Sequence, residues 1–322
     1  MPRPSPACAA RRPAGENAGP RRDRRKAPPS RQASIENPLA AAPSYDRRFD
    51  VVLCPDRRRP AAARPGSAAR VPAISEGHRR TQPFHQRIKW PTPSGVRTAS
   101  FAARGKTFET RLVAGDLLTL LYCANLAIIS QDVWLSRISQ PDKPDFAVFD
   151  LDPGPGVSFA QVVDIARRLH ELLEDYGVPH GVKTSGMGGV HVYVPVVHTD
   201  YATTRAFVTQ FASRVAAQCP DSATIERAIH RRGKRVYIDP DQNMRAKTMA
   251  APYSVRHSAF AGVSAPVSWQ ELEEGARPED FTLGSMLERV KRVGDLWTAL
   301  GEQPLDLRRL LESARSRRQA AA

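Results

Sequence analysis

Apolar residues change period several times along this chain, and each change predicts an element. In "SFAQVVDIARRLHELLEDYG" they recur every three to four positions, so Val162, Ile165, Leu169 and Leu172 form the stripe of an amphipathic helix. Ser158 is placed to cap that helix and Gly177 to end it. "DYATTRAFVTQFASRVAAQ" predicts a second helix, capped by Asp200. Residues 115–129, "GDLLTLLYCANLAII", are apolar on every side, which predicts a buried helix. Strand patterns take over elsewhere. "DFAVFDLDP" is a strand stopped by Pro153, "KRVYID" is stopped by Pro240, and "VWLSRI" is a short strand. "GVKTSGMGGVHVYVPVV" sets two strand-like runs around a glycine turn, a hairpin. "KTMAAPYSVR" is extended, and helical spacing returns from Ser268 and in "FTLGSMLERVKRVGDLWTAL". Interspersed strands and helices with an antiparallel hairpin give an α+β fold, a mixed or antiparallel sheet core with packed helices.

Charge changes the picture at one end. The net charge is +15, yet residues 1–80 hold 18 Lys and Arg against 7 Asp and Glu. That segment also holds 13 of the 28 prolines. Such a basic Pro/Ala/Arg-rich stretch buries too little apolar surface to offset chain entropy. Residues 1–80 are therefore expected to be largely disordered or irregular, with "SYDRRFDVVLC" as an exception, and residues 81–315 to form the folded domain. The excess charge suits a polyanion such as nucleic acid, or is a solvated tail without a role. The four cysteines are far apart, which argues against a zinc knuckle or a disulfide framework. No stretch has transmembrane length, so no membrane partner is expected and a reduced cytoplasmic setting is the default.

The candidate chemistry begins at "VFDLDPGPG". Side chains alternate across a strand, so Asp150 and Asp152 share one face while Phe149 and Leu151 take the other. Adjacent carboxylates repel, and a divalent cation removes the conflict. Exposed loops also carry D-x-D without meaning. Asp239 ends "RVYID" and would bring a third acid to the sheet edge if the two strands pair; a turn cap next to Pro240 is the other reading. Three acids suit two metals. Gly186, Gly188 and Gly189 allow an anion-binding turn beside Ser185 and His191. Arg231, Arg232, Lys234, Arg235, Lys247 and Arg256 could together neutralise a triphosphate. A phosphatase that opens with a strand-borne D-x-D is disfavoured, because Pro153, Gly154 and Pro155 stand where it needs Ser or Thr.

"VFDLDPGPG", "KTSGMGGVHVYVP" and "RVYIDPDQN…KTMAAPYSVR" together resemble the three signature motifs of the polymerase domain of bacterial DNA ligase D, in the archaeo-eukaryotic primase superfamily. The resemblance runs from about Val96 to the last helices. It implies a template-dependent nucleotidyltransferase that fills or extends DNA ends in non-homologous end joining. It also implies a two-metal site for Mn²⁺ or Mg²⁺. Its partners would be DNA ends with a 5′-phosphate, NTP or dNTP, Ku and a separate DNA ligase, in the bacterial cytoplasm at the nucleoid. By motif, Asp150, Asp152 and Asp239 would bind the metals. Ser185 and His191 would contact the incoming nucleotide, and Arg232, Gln242 and Arg256 would line its site. Phe84 would pack against template DNA. The chain departs from the family pattern in three places: Gly188 stands for a lysine, Asp132 for a histidine and Ser258 for an arginine. Those losses imply weakened triphosphate binding, and the alternative implied function is a non-catalytic DNA-end-binding relic.

Overall fold

The structure, a computed structural model, describes residues 51–56, 92–102, 108–113, 115–126, 128–308 and 310. Phe84 and most of residues 1–80 lie outside them. The strands are β1 (Val51–Asp56), β2 (Thr98–Ala102), β3 (Phe108–Val113), β4 (Ser130–Arg137), β5 (Phe146–Pro153), β6 (Gly181–Thr184), β7 (Val190–Val197), β8 (Ala223–Thr224), β9 (Val236–Asp239), β10 (Thr248–Ala250), β11 (Pro266–Val267) and β12 (Leu305–Asp306). The helices are α1 (Leu117–Asn125), α2 (Phe159–Asp175), α3 (Tyr201–Gln218), α4 (Ile229–Arg232), α5 (Trp269–Glu273) and α6 (Met286–Val293). One sheet runs β10-β4-β1-β3-β2 and the other β11-β6-β7-β5-β9-β8, with β12 beside β7. Most pairings are antiparallel; β8–β9 and β7–β12 are parallel. The mixed α+β architecture is as expected. β1 comes from "SYDRRFDVVLC" and pairs with both β3 and β4.

The larger sheet has two different faces because its central strand alternates. Phe149 and Leu151 of β5 are fully buried among Val162, Ile165 and Leu169 of α2 and Phe207, Val208 and Phe211 of α3. Phe149 meets Phe207 and Phe211 edge-on at 6.1 and 6.5 Å. Ser158 caps α2 through a capping box with Gln161, and Asp200 caps α3 by accepting from the Thr203 N–H. The other face carries Phe146, Val148 and Tyr193, which cluster with Leu135 of β4 and Met249 of β10. That cluster joins the two sheets and leaves the polar end of β5 facing the space beside it.

Two expectations are corrected. Leu173, not Leu172, completes the buried stripe of α2, since the helix turns 100° per residue and the stripe drifts. The helix in residues 115–129 is not buried all round. α1 packs Thr119 and Cys123 inward, while Leu117, Leu118 and Leu121 are 47%, 47% and 53% exposed. An apolar helix does not by itself specify which face is covered.

Candidate active site

A row of four residues crosses four adjacent strands of the larger sheet. Lys183 on β6 is the register partner of His191 on β7. His191 is the partner of Asp150 on β5, and Asp150 of Asp239 on β9. Direct cross-strand partners have Cβ atoms about 5 Å apart, so Asp150 and Asp239 are neighbours. Asp152 lies one step along β5 on the same face, opposite Tyr237. The strands β5 and β9 pair as the motif reading required, but mid-sheet and not at a sheet edge.

Each member of the row is held from behind. The Lys183 amine donates to Ser264 Oγ at 2.5 Å and to His191 Nδ1 at 2.7 Å. Nε2 of the same ring lies 3.1 Å from Asp150 Oδ1. Burial, then the charges of Lys183 and Arg256, hold the His191 imidazole well below its usual value. Burial, then Arg256, does the same to Lys183. Asp239 Oδ1 accepts from the Tyr237 hydroxyl at 2.9 Å and from the Asp241 N–H at 2.8 Å. Asp239 is thus both the third acid of the row and the cap of the 3₁₀ turn Pro240–Asn243. Fully buried Asn243 fixes that turn to β5: its side chain accepts the Val148 N–H at 2.8 Å and donates to the Val148 carbonyl at 2.7 Å.

The carboxylates are strained as a set. Burial pushes Asp150 up to about 6, against the opposing pull of Lys183, a hydrogen bond with Gln242, and Arg256. Burial, then repulsion from Asp150 and Asp239, pushes Asp152 up to about 7, although its tip reaches solvent. Burial raises Asp239 too. The three acids do not close into one tight cage; the one His/Cys/Asp/Glu trio with ligand atoms all within 4.8 Å, among the described residues, lies elsewhere.

The glycine turn lies alongside. Ser185 Oγ accepts the N–H groups of Met187 and Gly189 at 3.2 and 3.0 Å, so the hydroxyl shapes the turn and keeps its own proton to donate. Gly186 has φ +75°, and a Cβ there would meet Arg256 Cγ at 2.5 Å. Arg256 can cross the turn only because that residue is glycine. Its Nη1 donates to Ser130 Oγ at 2.9 Å and to Asp132 Oδ1, both on β4. Arg232 stacks on the Tyr237 ring at 3.5 Å and donates to the Glu226 and Arg227 carbonyls, close enough to Asp152 to lower its pKa.

Two buried atoms in this space lack hydrogen-bond partners among the described residues. Asp150 Oδ1 has His191 beside it, but not along a donor axis, and Arg256 Nε has no acceptor. Buried polar atoms are rarely left so. An acceptor without a donor and a donor without an acceptor, on two residues in electrostatic reach of each other, fit a hard metal ion and an anion.

The profile of the LigD primase-polymerase domain matches residues 58–297. The chain belongs to that family. It is 30% identical over 217 residues to the Bacillus subtilis bifunctional non-homologous end joining protein LigD, covering 63% of this chain and 35% of that protein. It is 37% identical over 153 residues to the Mycobacterium tuberculosis multifunctional non-homologous end joining DNA repair protein LigD, covering 46% and 20%. The chain thus spans about a third or less of these relatives. Among solved structures it is similar to the polymerase domain of Mycobacterium tuberculosis ligase D in complex with DNA, with a TM-score of 0.63 and 29% identity over 70% of this chain and 81% of that one.

Within this LigD-type site, the structure brings Asp150 near His191, Gln242 and Arg256, and Asp152 near Asp150, Asp239 and Arg232, while a Cβ at Gly189 would lie 3.4 Å from Ser185 Oγ and 3.6 Å from Asp152 Oδ1; Phe84 lies outside the described residues. Sequence reasoning missed Lys183, Ser264 and the Asp132–Arg256 pair. Lys183 was findable: a turn closed by Ser185 and Gly189 makes positions 183 and 191 partners. Among the described residues no helix is long and apolar enough to cross a membrane.

Proposed function

We propose that the chain is a template-dependent nucleotidyltransferase that fills or extends DNA ends in non-homologous end joining. Two buried atoms without hydrogen-bond partners among the described residues, Asp150 Oδ1 and Arg256 Nε, on residues in electrostatic reach of each other, carry this reading, because they match a cation and an anionic phosphate. Asp150, Asp152 and Asp239 would hold Mn²⁺ or Mg²⁺, whose hard oxygen preference suits them. When bound, such ions lower the pKa of a primer 3′-hydroxyl and neutralise charge on the phosphates.

The protein groups do the positioning. His191, locked by Lys183, orients Asp150. The Ser185 hydroxyl, oriented by the Met187 and Gly189 N–H groups, donates to a phosphate oxygen, Gln242 steadies Asp150, and Arg232 and Arg256 offset charge that develops on the leaving pyrophosphate. The Mycobacterium relative bound to DNA supports nucleic acid as the template. Ku, a DNA ligase activity, 5′-phosphorylated ends and a cytoplasmic place at the nucleoid complete the reading. A second reading, a DNA-end binder without catalysis, is favoured by one observation: Asp132 already occupies Arg256.

The test is primer extension on a gapped, 5′-phosphorylated duplex with NTP or dNTP and either metal. Extension that needs metal and disappears in Asp150→Ala is expected. Equal extension by Asp150→Ala would overturn the assignment, and DNA binding without any extension would establish the second reading.

A further inference from the structure

A second cluster of ligand-type side chains lies on the helical side of the larger sheet, away from the carboxylates. His170 and Glu174 stand four residues apart on α2 and leave the same helix face. After α2 the chain turns at Gly177, φ +62°, and returns so that His180 enters β6 beside them. One ligand atom from each of His170, Glu174 and His180 lies within 4.8 Å of the other two.

The ring of His180 is aimed. Its Nδ1 lies 2.7 Å from the Val178 carbonyl, a contact only an N–H can make. The lone pair is therefore on Nε2, which faces His170 Nδ1 at 2.7 Å. A backbone carbonyl fixing one nitrogen so that the other can ligate is the usual support of a metal-bound histidine. Glu174 Oε1 is 3.8 Å from His180 Nδ1, and its side chain is 65% exposed, so it is free to swing round toward the Nε2 side. Trp269 walls the cluster, stacked on His170 at 4.2 Å and edge-on to His180 at 5.5 Å.

We propose that His170 Nδ1, His180 Nε2 and the Glu174 carboxylate form a site for a borderline divalent metal such as Zn²⁺ or Ni²⁺, completed by water. The ion takes the place of the proton between the two rings, and His170 shifts that proton from Nδ1 to Nε2 by exchange with solvent, so both rings bind as neutral imidazoles and no net proton is released. Metal–nitrogen bonds of about 2.0–2.1 Å require the ring nitrogens to part by about half an ångström, a shift the half-buried His170 can make. Imidazole selects zinc, nickel or copper, whereas the carboxylates across the sheet suit magnesium or manganese, so the two sites differ in the ions they take. Bound metal would clip the end of α2 to the start of β6.

The test is calorimetric titration of the full chain, stripped with chelator and then held in excess MgCl₂, with ZnCl₂ and separately NiCl₂. The wild type and Asp150→Asn each take up one equivalent, His170→Ala loses it, and Glu174→Gln weakens it by about tenfold or more. Zinc raises the Tm of the wild type and not that of His170→Ala. Equal zinc uptake by wild type, His170→Ala and Glu174→Gln overturns the proposal, and so does a wild type that takes up none. Glu174 is exposed, so its variant gives a reading even if His170→Ala does not fold.

Discussion

Asp132→Asn should tighten nucleotide binding. In the wild type, Arg256 Nη1 donates to the Asp132 carboxylate and to Ser130 Oγ, while Nε has no acceptor. The carboxylate is buried and the guanidinium 23% exposed, so the pair is only partly screened by solvent. A triphosphate approaching Arg256 must either accept from Nε alone or displace Asp132. Asparagine keeps the shape and can still accept one hydrogen bond, but its charge is gone. A charge-assisted hydrogen bond is worth about 1.5–3 kcal/mol, and each 1.4 kcal/mol is about tenfold. Redirecting one such bond from Asp132 to phosphate would tighten Mn²⁺–NTP binding about 10- to 150-fold. The fold loses part of an ion pair, at a cost of about 1–3 kcal/mol. Fluorescence anisotropy with a labelled ATP, on wild type, Asp132→Asn, Arg256→Gln and the double variant, measures this directly. Arg256→Gln should cost little in the wild type and should cancel the whole gain in Asp132→Asn. That difference is the coupling energy of the two positions. Folded Asp132→Asn that binds nucleotide no better than wild type, with no coupling to Arg256, would refute the reasoning.

The remaining predictions concern the metal, the turn and the scaffold. Protons compete with metal for Asp150 and Asp152, which sit at about 6 and about 7, so Mn²⁺ affinity should climb as pH rises through that window and level off above it; calorimetry across it checks this, and a flat profile contradicts the site. His191 adds no proton release there, because burial holds its pKa well below the usual value. Gly188→Lys should strengthen triphosphate binding, since a Cβ there meets nothing closer than Pro153 Cγ at 3.4 Å and the turn gains a cation; nucleotide KM against kcat reads it. Asn243→Leu strands the Val148 N–H and carbonyl and should cost about 2–5 kcal/mol, measured by urea denaturation.

The parts of the site that were legible in the sequence are those fixed by a short-range period. Alternation along β5 puts Asp150 and Asp152 on one face and Phe149 and Leu151 on the other, and proline marks the ends of β5 and β9. The hairpin turn fixes its own register, so Lys183 was in reach, hidden only because a lysine in an apolar run reads as a strand end. The Asp132–Arg256 pair was out of reach. Its members are 124 residues apart, on different elements, and no period in either stretch refers to the other. The exposed face of α1 failed for the opposite reason: its pattern is uniformly apolar and carries no information about direction.

The same contrast bears on what this pocket can do. Burial raises all three of its acids, repulsion from neighbouring carboxylates adds to it at Asp152 and Asp239, and one oxygen of Asp150 has no hydrogen-bond donor among the described residues. Its cations are mostly engaged. Lys183 is spent on His191 and Ser264, Arg232 on a ring and two carbonyls, Arg235 on the Arg231 and Arg232 carbonyls, and one arm of Arg256 on Asp132. Cation binding therefore relieves strain already present, whereas an anion finds few free donors, chiefly Arg256 Nε and the Ser185 hydroxyl. A site built this way takes its metal before its nucleotide. Nucleotide binding should accordingly gain more from added Mn²⁺ than from any single restored cation, and an ordered dependence, with Mn²⁺ lowering the nucleotide Kd but nucleotide alone barely binding, follows from the same arrangement of charges.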